Sequence, residues 1–243
     1  MLIPWSPQSA KIATKSNRDW VLNAKPVLLL HFDGADEAVT TKDSGVTGHT
    51  ITFGGTAQLD TAQKKFGSSS LLLDGNSDYL TIADHANWDI STNWTLDFWA
   101  RHASISDDLQ VYVEQYEDGL NFWQLGVERQ TLTFKIVTAN SAVVLVSGTG
   151  TIAASIWYRI AVCKLANEYG IYINGAQDAY TSDADTDSYA GLLNIGRHGD
   201  ASGYLNGWLD EIRIVQGNPF GAAPVVGKTD TINVPFKPYI SWR

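Results

Sequence analysis

Trp157-Tyr158-Arg159-Ile160-Ala161-Val162, followed by Ile171-Tyr172-Ile173-Asn174-Gly175-Ala176, is the stretch whose reading decides the fold. The first run is apolar and suited to a strand. The second is a strand that breaks at Asn-Gly, a pair tolerating the positive φ angles that a tight hairpin needs. Leu193-Asn194-Ile195-Gly196-Arg197 and Asn206-Gly207-Trp208-Leu209-Asp210-Glu211-Ile212-Arg213-Ile214 continue the pattern to Val215. Short apolar runs punctuated by turn residues predict a two-layer β-sandwich. Trp157, Tyr172 and Trp208 are expected to close it.

Composition agrees with that reading. The 243 residues are 44% hydrophobic and 18% charged, enough for a substantial core in a single all-β domain. No stretch holds a 3.6-residue apolar period for three turns, which argues against long helices. A net charge of -9 argues against nucleic acid, because phosphate binding wants a basic patch. An acidic surface suits cations or neutral sugars, and equally a molecule kept soluble by its charge. Nothing approaches the ~18 apolar residues of a membrane span. Met1 to Ser6 lack the basic and apolar regions of a secretory signal. The single cysteine, Cys163, sits inside an apolar run and is expected to be a buried structural thiol.

Along the chain, residues 1–24 read as an N-terminal arm, 25–223 as the globular domain and 224–243 as a C-terminal arm. The last carries Pro235 and Pro238 among Phe236, Tyr239 and Trp242. Two prolines so close prevent a regular central strand, and the arm looks made to lie on another surface. Within the domain, strands are expected at Val27–Phe32, His49–Phe53, Leu71–Leu73 and Tyr79–Ile82, with one helical turn at Asp84–Trp88. Longer strands follow at Trp94–His102, Leu109–Glu117, Leu120–Glu128, Thr131–Thr138 and Ala142–Ser147. The second, third and fourth of these form a meander joined by Asp118-Gly119 and Arg129-Gln130.

Three blocks carry a resemblance. They are Lys65-Phe66-Gly67-Ser68-Ser69-Ser70-Leu71-Leu72-Leu73-Asp74-Gly75 with Asp78-Tyr79-Leu80, then Trp94-Thr95-Leu96-Asp97-Phe98-Trp99-Ala100-Arg101, then the run opening at Trp157. Together they resemble a laminin-G-like domain of the concanavalin A-like superfamily over roughly residues 27–220, which implies a two-sheet antiparallel jelly-roll β-sandwich. Leu28-Leu29-Leu30-His31-Phe32-Asp33-Gly34 with Asp43-Ser44-Gly45 is similar to domains of bacteriophage tail and fibre proteins. That likeness implies a virion or extracellular setting, with cell-surface glycans or other virion proteins as partners, in a homo-oligomer or larger assembly. The family resemblance also implies a structural Ca²⁺ at Asp33 and Asp210, with further oxygens from Asp43, Ser44 and Gly45. Against it stands the reading of Asp33 and Asp74 as the opening residues of Asp-Gly turns. Asp183-Ala184-Asp185-Thr186-Asp187 is spaced like the start of an EF-hand loop but departs from it at Ser188 and Asn194, as a solvated loop would.

No catalytic residues are expected. Glycosidases of the superfamily place Glu-x-Asp-x-x-Glu on one strand. The nearest run here, Glu114-Gln115-Tyr116-Glu117-Asp118, has Tyr116 where the Asp belongs and no second acid on that face. Strand alternation instead suggests a sugar platform. With Trp94, Leu96, Phe98 and Ala100 inward, Trp99 and Arg101 face out; with Val111 and Val113 inward, Tyr112, Glu114 and Tyr116 face out. Gln124, Thr133 and Lys135 fall on neighbouring polar faces. Flat rings beside carboxylate, amide and ammonium groups suit a pyranose, and protein interfaces use the same residues. The expected role is a non-catalytic recognition module on a phage tail or capsid. The alternatives are a structural decoration protein and a polysaccharide-degrading enzyme.

Overall fold

A computed structural model describes residues 25–90, 93–106, 108–184 and 188–243. The N-terminal arm, and Asp185 to Asp187 of the acidic run, lie outside the described residues.

In chain order the strands are β1 (Pro26–Leu30), β2 (Ile51–Gly54), β3 (Gln58–Asp60), β4 (Ser70–Asp74), β5 (Tyr79–Ile82), β6 (Asn93–His102), β7 (Leu109–Asp118) and β8 (Asn121–Glu128). Then come β9 (Thr131–Thr138), β10 (Ser141–Thr151), β11 (Trp157–Leu165), β12 (Glu168–Ile173), β13 (Ala176–Ser182), β14 (Leu192–Ile195) and β15 (Asn206–Val215). A single 3-10 turn at Ala86–Trp88 is the only helical element among the described residues, where no helix is long and apolar enough to cross a membrane.

The strands form two antiparallel sheets. The eight-stranded one runs β13-β12-β11-β6-β15-β4-β3, with β1 added against the second half of β15. The seven-stranded one runs β10-β9-β8-β7-β14-β5-β2. This is the expected sandwich, and the meander extends to four strands, β7 to β10. The Asn174-Gly175 hairpin also forms, with φ of 51° and 88° at its two turn residues.

The main core lies between the sheets, as alternation requires. Trp94 and Phe98 of β6 meet Trp123 and Tyr112 of the other sheet, with ring centroids 5.4 Å apart in the first pair and 5.0 Å in the second. Rings of this size each remove roughly 150–250 Å² from water and dominate core energetics.

A second, smaller core lies outside the eight-stranded sheet. Phe220, Ala222 and Ile232 of the C-terminal segment cover Ala161, Cys163 and Tyr172. The segment is tied down by Ile232 N–H to Gly175 O (2.8 Å), Tyr239 N–H to Glu211 Oε2 (2.8 Å) and Trp242 N–H to Ser44 O (2.9 Å). The arm expected on another surface is therefore a strap across its own sheet. Trp157, Tyr172 and Trp208 need the same correction. They lie in the outward rows of this sheet, Trp157 and Trp208 both opposite Arg101, and so do not fill the space between the layers.

Candidate functional site

The two outer sheet faces differ in what covers them. On the eight-stranded face, Asp97 is buried, with Oδ1 accepting from Arg213 Nε (2.9 Å) and Oδ2 from Arg159 Nη2 and Tyr239 Oη (2.5 Å for the hydroxyl). Trp99 lies beside them beneath Lys65, whose Nζ is 4.0 Å from the ring centroid, and edge-on to Phe66. Arg101 stacks on Trp208 and donates to Gln63 Oε1 (3.0 Å). Trp99 and Arg101 thus belong to a face closed by the strap and the 63–68 loop. They are far from the other ligand residues expected from sequence.

Asp33 and Asp210 hold that same loop. Asp210 Oδ2 accepts the backbone amides of Lys65 (2.8 Å) and Phe66 (3.0 Å), and Asp33 Oδ1 accepts that of Ser68 (2.5 Å). Asp210 Oδ1 is buried with no hydrogen-bond partner. Burial pushes the Asp210 carboxyl up to about 8, against the pull of its two backbone hydrogen bonds. The orphaned oxygen is the one observation that fits a hard cation here. Asp43 is otherwise engaged: Oδ1 accepts Leu29 N (2.9 Å) and Gly45 N (2.7 Å), and Oδ2 accepts His49 N (2.7 Å). It is a turn-building carboxylate, not the extra ligand expected of it. Among the described residues no group of three or more His, Cys, Asp or Glu side chains is placed to hold a metal.

The outer face of the seven-stranded sheet is covered in part by the 196–203 loop and open beside it. Its rows follow from register: Lys135, Gln124, Glu114, Asn194 and Thr81 lie side by side across five strands. Val137, Phe122, Tyr116 and Leu192 form the next row. A β-bulge breaks the alternation of β7. Its register shifts between Val111 and Val113, which oppose Gly126 and Leu125. The extra residue sends both Tyr112 and Val113 into the core. Tyr112 is therefore not a surface ring: it is fully buried, 5.0 Å from Phe98, with its hydroxyl 2.7 Å from His102 Nε2. Glu114 and Tyr116, beyond the bulge, do face outward.

Glu114 is nonetheless covered. Its Oε1 accepts from Gln124 Nε2 (2.9 Å) and pairs with His198 Nδ1 (2.6 Å), while Oε2 accepts from the Gly199 amide (2.7 Å). Burial lowers the His198 imidazole, but the hydrogen bond and charge of Glu114 outweigh it and raise the group above its ordinary value. The His198 ring stands edge-on to Tyr116 at 5.1 Å and 5.3 Å from Phe122. Lys135 Nζ lies 5.7 Å from the Phe122 centroid and 3.1 Å from Glu128 Oε1. Next to this corner is an open depression of about 650 Å³ lined by Glu128, Thr131, Thr133 and Ser147, with Asp108 and Arg129 at its rim. Gly126 lies in the row of Thr133 and Ser147 and keeps that stretch of the sheet low, since a Cβ there would stand 2.8 Å from Gln110 O.

The structure thus brings together Glu114, Tyr116, Gln124 and Lys135, and separates Trp99, Arg101 and Tyr112 from them. It adds His198, Phe122 and Glu128, which sequence reading did not place there. The one signal for His198 was its place in the Gly-rich loop 196–203. The hydrolase-like acids do not converge: Glu114 is saturated by three donors, Glu117 Oε2 accepts Ala190 N (2.8 Å), and Asp118 Oδ1 caps Leu120 N (2.7 Å). Cys163 is buried and its thiol is pushed up to about 12, which leaves it un-ionised at neutral pH.

No curated protein sequence matches the chain. Among solved structures, domain 4 of AbnA, a GH43 extracellular arabinanase from Geobacillus stearothermophilus, in complex with arabinotriose, aligns with a TM-score of 0.60 at 19% identity, covering 81% of this chain and 96% of that one. The botulinum neurotoxin serotype G binding domain aligns with a TM-score of 0.61 at 13% identity, covering 80% of this chain and 49% of that one. A botulinum neurotoxin type C structure, described by cell entry that depends on interaction with two ganglioside molecules, gives 0.61 and 13%, with coverages of 80% and 48%. This chain spans about half the length of those toxin structures, and at such identities the likeness is one of fold. A family model described as the concanavalin A-like lectin/glucanases superfamily matches residues 74–218, more than half the chain. The chain belongs to that superfamily, as a laminin-G-like jelly roll.

Proposed function

We propose that this domain is a non-catalytic carbohydrate-recognition module that binds its ligand on the outer face of the seven-stranded sheet. The observation that carries this is the contrast between the two faces. One is closed by the C-terminal strap; the other presents Tyr116, His198 and Lys135 at one end and, next to them, an open depression lined by Glu128, Thr131, Thr133 and Ser147. Aromatic edges with a few placed polar groups are what a sugar ring uses. The arabinanase domain solved with arabinotriose and the toxin linked to gangliosides are sugar-associated examples of the same fold. They support the reading by analogy only. Binding of the purified domain to a glycan array, compared with Tyr116→Ala and Lys135→Ala, tests it. Loss of a glycan signal in both variants supports the site. Signal lost on Trp99→Ala but kept in both variants would move the site to the other sheet, and no signal for the wild type would remove the reading.

A setting on a phage tail or capsid is part of the same proposal, and it rests on the likeness of Leu28 to Gly34 to tail and fibre domains. The strap, folded on its own sheet, no longer speaks for a partner surface. A structural Ca²⁺ at Asp33 and Asp210 is likewise proposed, with Asp210 Oδ1 as the atom it would satisfy.

A further inference from the structure

The charges along the open face define which sugars it takes. Given that this face is the binding site, we infer that its ligand is a neutral oligosaccharide of three to four units and that anionic glycans are rejected. Length comes from the sheet. From Glu128 to Phe122 along β8 is six residues, about 20 Å at ~3.3 Å per residue, the reach of a short oligosaccharide.

Selectivity comes from the pairing of each cation on that path. Lys135 is held by Glu128 at 3.1 Å, His198 by Glu114 at 2.6 Å with Asp200 3.9 Å from its other nitrogen, and Arg129 by Asp108 at 3.6 Å. Arg197, the next cation across the sheet, lies flat on Tyr79, 3.4 Å from the ring centroid. Lys135 and His198, the cations nearest β8, are thus each matched to an acid; Arg129 keeps only a solvent-exposed pair, and Arg197, whose buried Nε has no hydrogen-bond partner, sits on Tyr79 of β5, away from this path. An incoming carboxylate at Lys135 or Arg129 comes into close range of Glu128 or Asp108 and is repelled by it, and the remaining acids and a net charge of -9 add to that repulsion. Hydroxyl groups meet no such barrier. They can donate to the outer carboxylate oxygens of Glu128 and exchange hydrogen bonds with Thr133 and Ser147 without breaking an ion pair. Discrimination arises because the wrong ligand is repelled while the right one is merely accommodated.

The test is calorimetry on the whole chain. It uses neutral manno-, xylo- and arabino-oligosaccharides of two to six units, with mannuronate and galacturonate oligosaccharides of the same lengths. The expected result is binding of at least one neutral series, rising to three or four units and then levelling. Matched uronates should bind at least tenfold weaker, and neutral affinity should change less than twofold between 50 and 500 mM NaCl. Glu128→Gln, at a half-buried position at the end of β8, should release Lys135 and strengthen uronate binding at least threefold. Uronates binding as tightly as neutral chains, or no uronate gain in Glu128→Gln, would overturn the inference and leave the recognition reading intact. If neither class binds, both fall.

Discussion

Asp97 offers the sharpest test of how the closed face is held. The carboxylate is fully buried between two buried guanidinium groups, those of Arg159 and Arg213, and takes a third donor from Tyr239 on the strap. Removing one member of a buried ionic group leaves the others uncompensated, at a cost of about 3–5 kcal/mol. Here two cations would be stranded, so Asp97→Ala belongs at the upper end of that range. Domains of this size lose roughly 2–4 °C of Tm per kcal/mol, which places the expected drop at about 10–20 °C. Tyr239→Phe removes only the hydroxyl that bridges Asp97 and Arg159, so a loss of about 1–2 kcal/mol is expected. Urea denaturation followed by tryptophan fluorescence measures both. Limited proteolysis should also show earlier cleavage within 224–243 for Asp97→Ala, because Tyr239 would lose its anchor. A triple variant with Asp97, Arg159 and Arg213 all replaced by apolar residues should recover most of the loss, since the penalty comes from unpaired charge. An Asp97→Ala loss under 1 kcal/mol, or a triple variant no better than the single one, would refute the account.

Three further outcomes follow from groups already described. Burial lowers the His102 imidazole to about 4, against the opposing pull of Gln110. The unfolded chain, with an ordinary His value near 6.5, therefore takes up a proton first as pH falls. The wild type should lose about 3 kcal/mol more than His102→Gln between pH 6.5 and 4, with no difference above pH 7; parallel denaturation curves at all pH values would contradict this. If a cation rests on Asp210 Oδ1, chelator should lower the melting temperature of the wild type by several degrees and leave Asp210→Ala unaffected. An unchanged wild-type melt would remove the metal. Cys163, with its thiol pushed up to about 12, should resist a disulfide reagent at pH 8 in the native state and react at once in denaturant; fast native labelling would show the small outer core to be open.

Most strand positions, though not β3 and β13, were legible in the sequence because they follow from local alternation and turn chemistry, as Asn174-Gly175 shows. Two further things were not. The first is parity: one inserted residue at the Val111–Val113 bulge turned Tyr112 from an expected surface ring into a core ring. Bulges arise from pairing with a partner strand and leave no mark of their own in the run. The second is which sheet a strand joins. β6 and β7 are neighbours in sequence, yet they lie in opposite sheets, so outward residues on one, Trp99 and Arg101, face away from outward residues on the other, Glu114 and Tyr116. His198 was invisible for a related reason. Its partner Glu114 is 84 positions away, and only the pairing of β14 with β7 brings them together.

The strap has a consequence for how the domain would work in numbers. With one sheet face occupied by its own C-terminal segment, a copy can meet a sugar-coated surface from one side only. On the proposed reading, a shallow depression that takes a few sugar units would give modest affinity per copy. Useful retention then depends on how many copies are held on a common support with their seven-stranded sheets turned the same way, and the effective concentration set by that spacing multiplies the weak single contact. Orientation of the mount, more than further tuning of the depression, would set the strength of attachment.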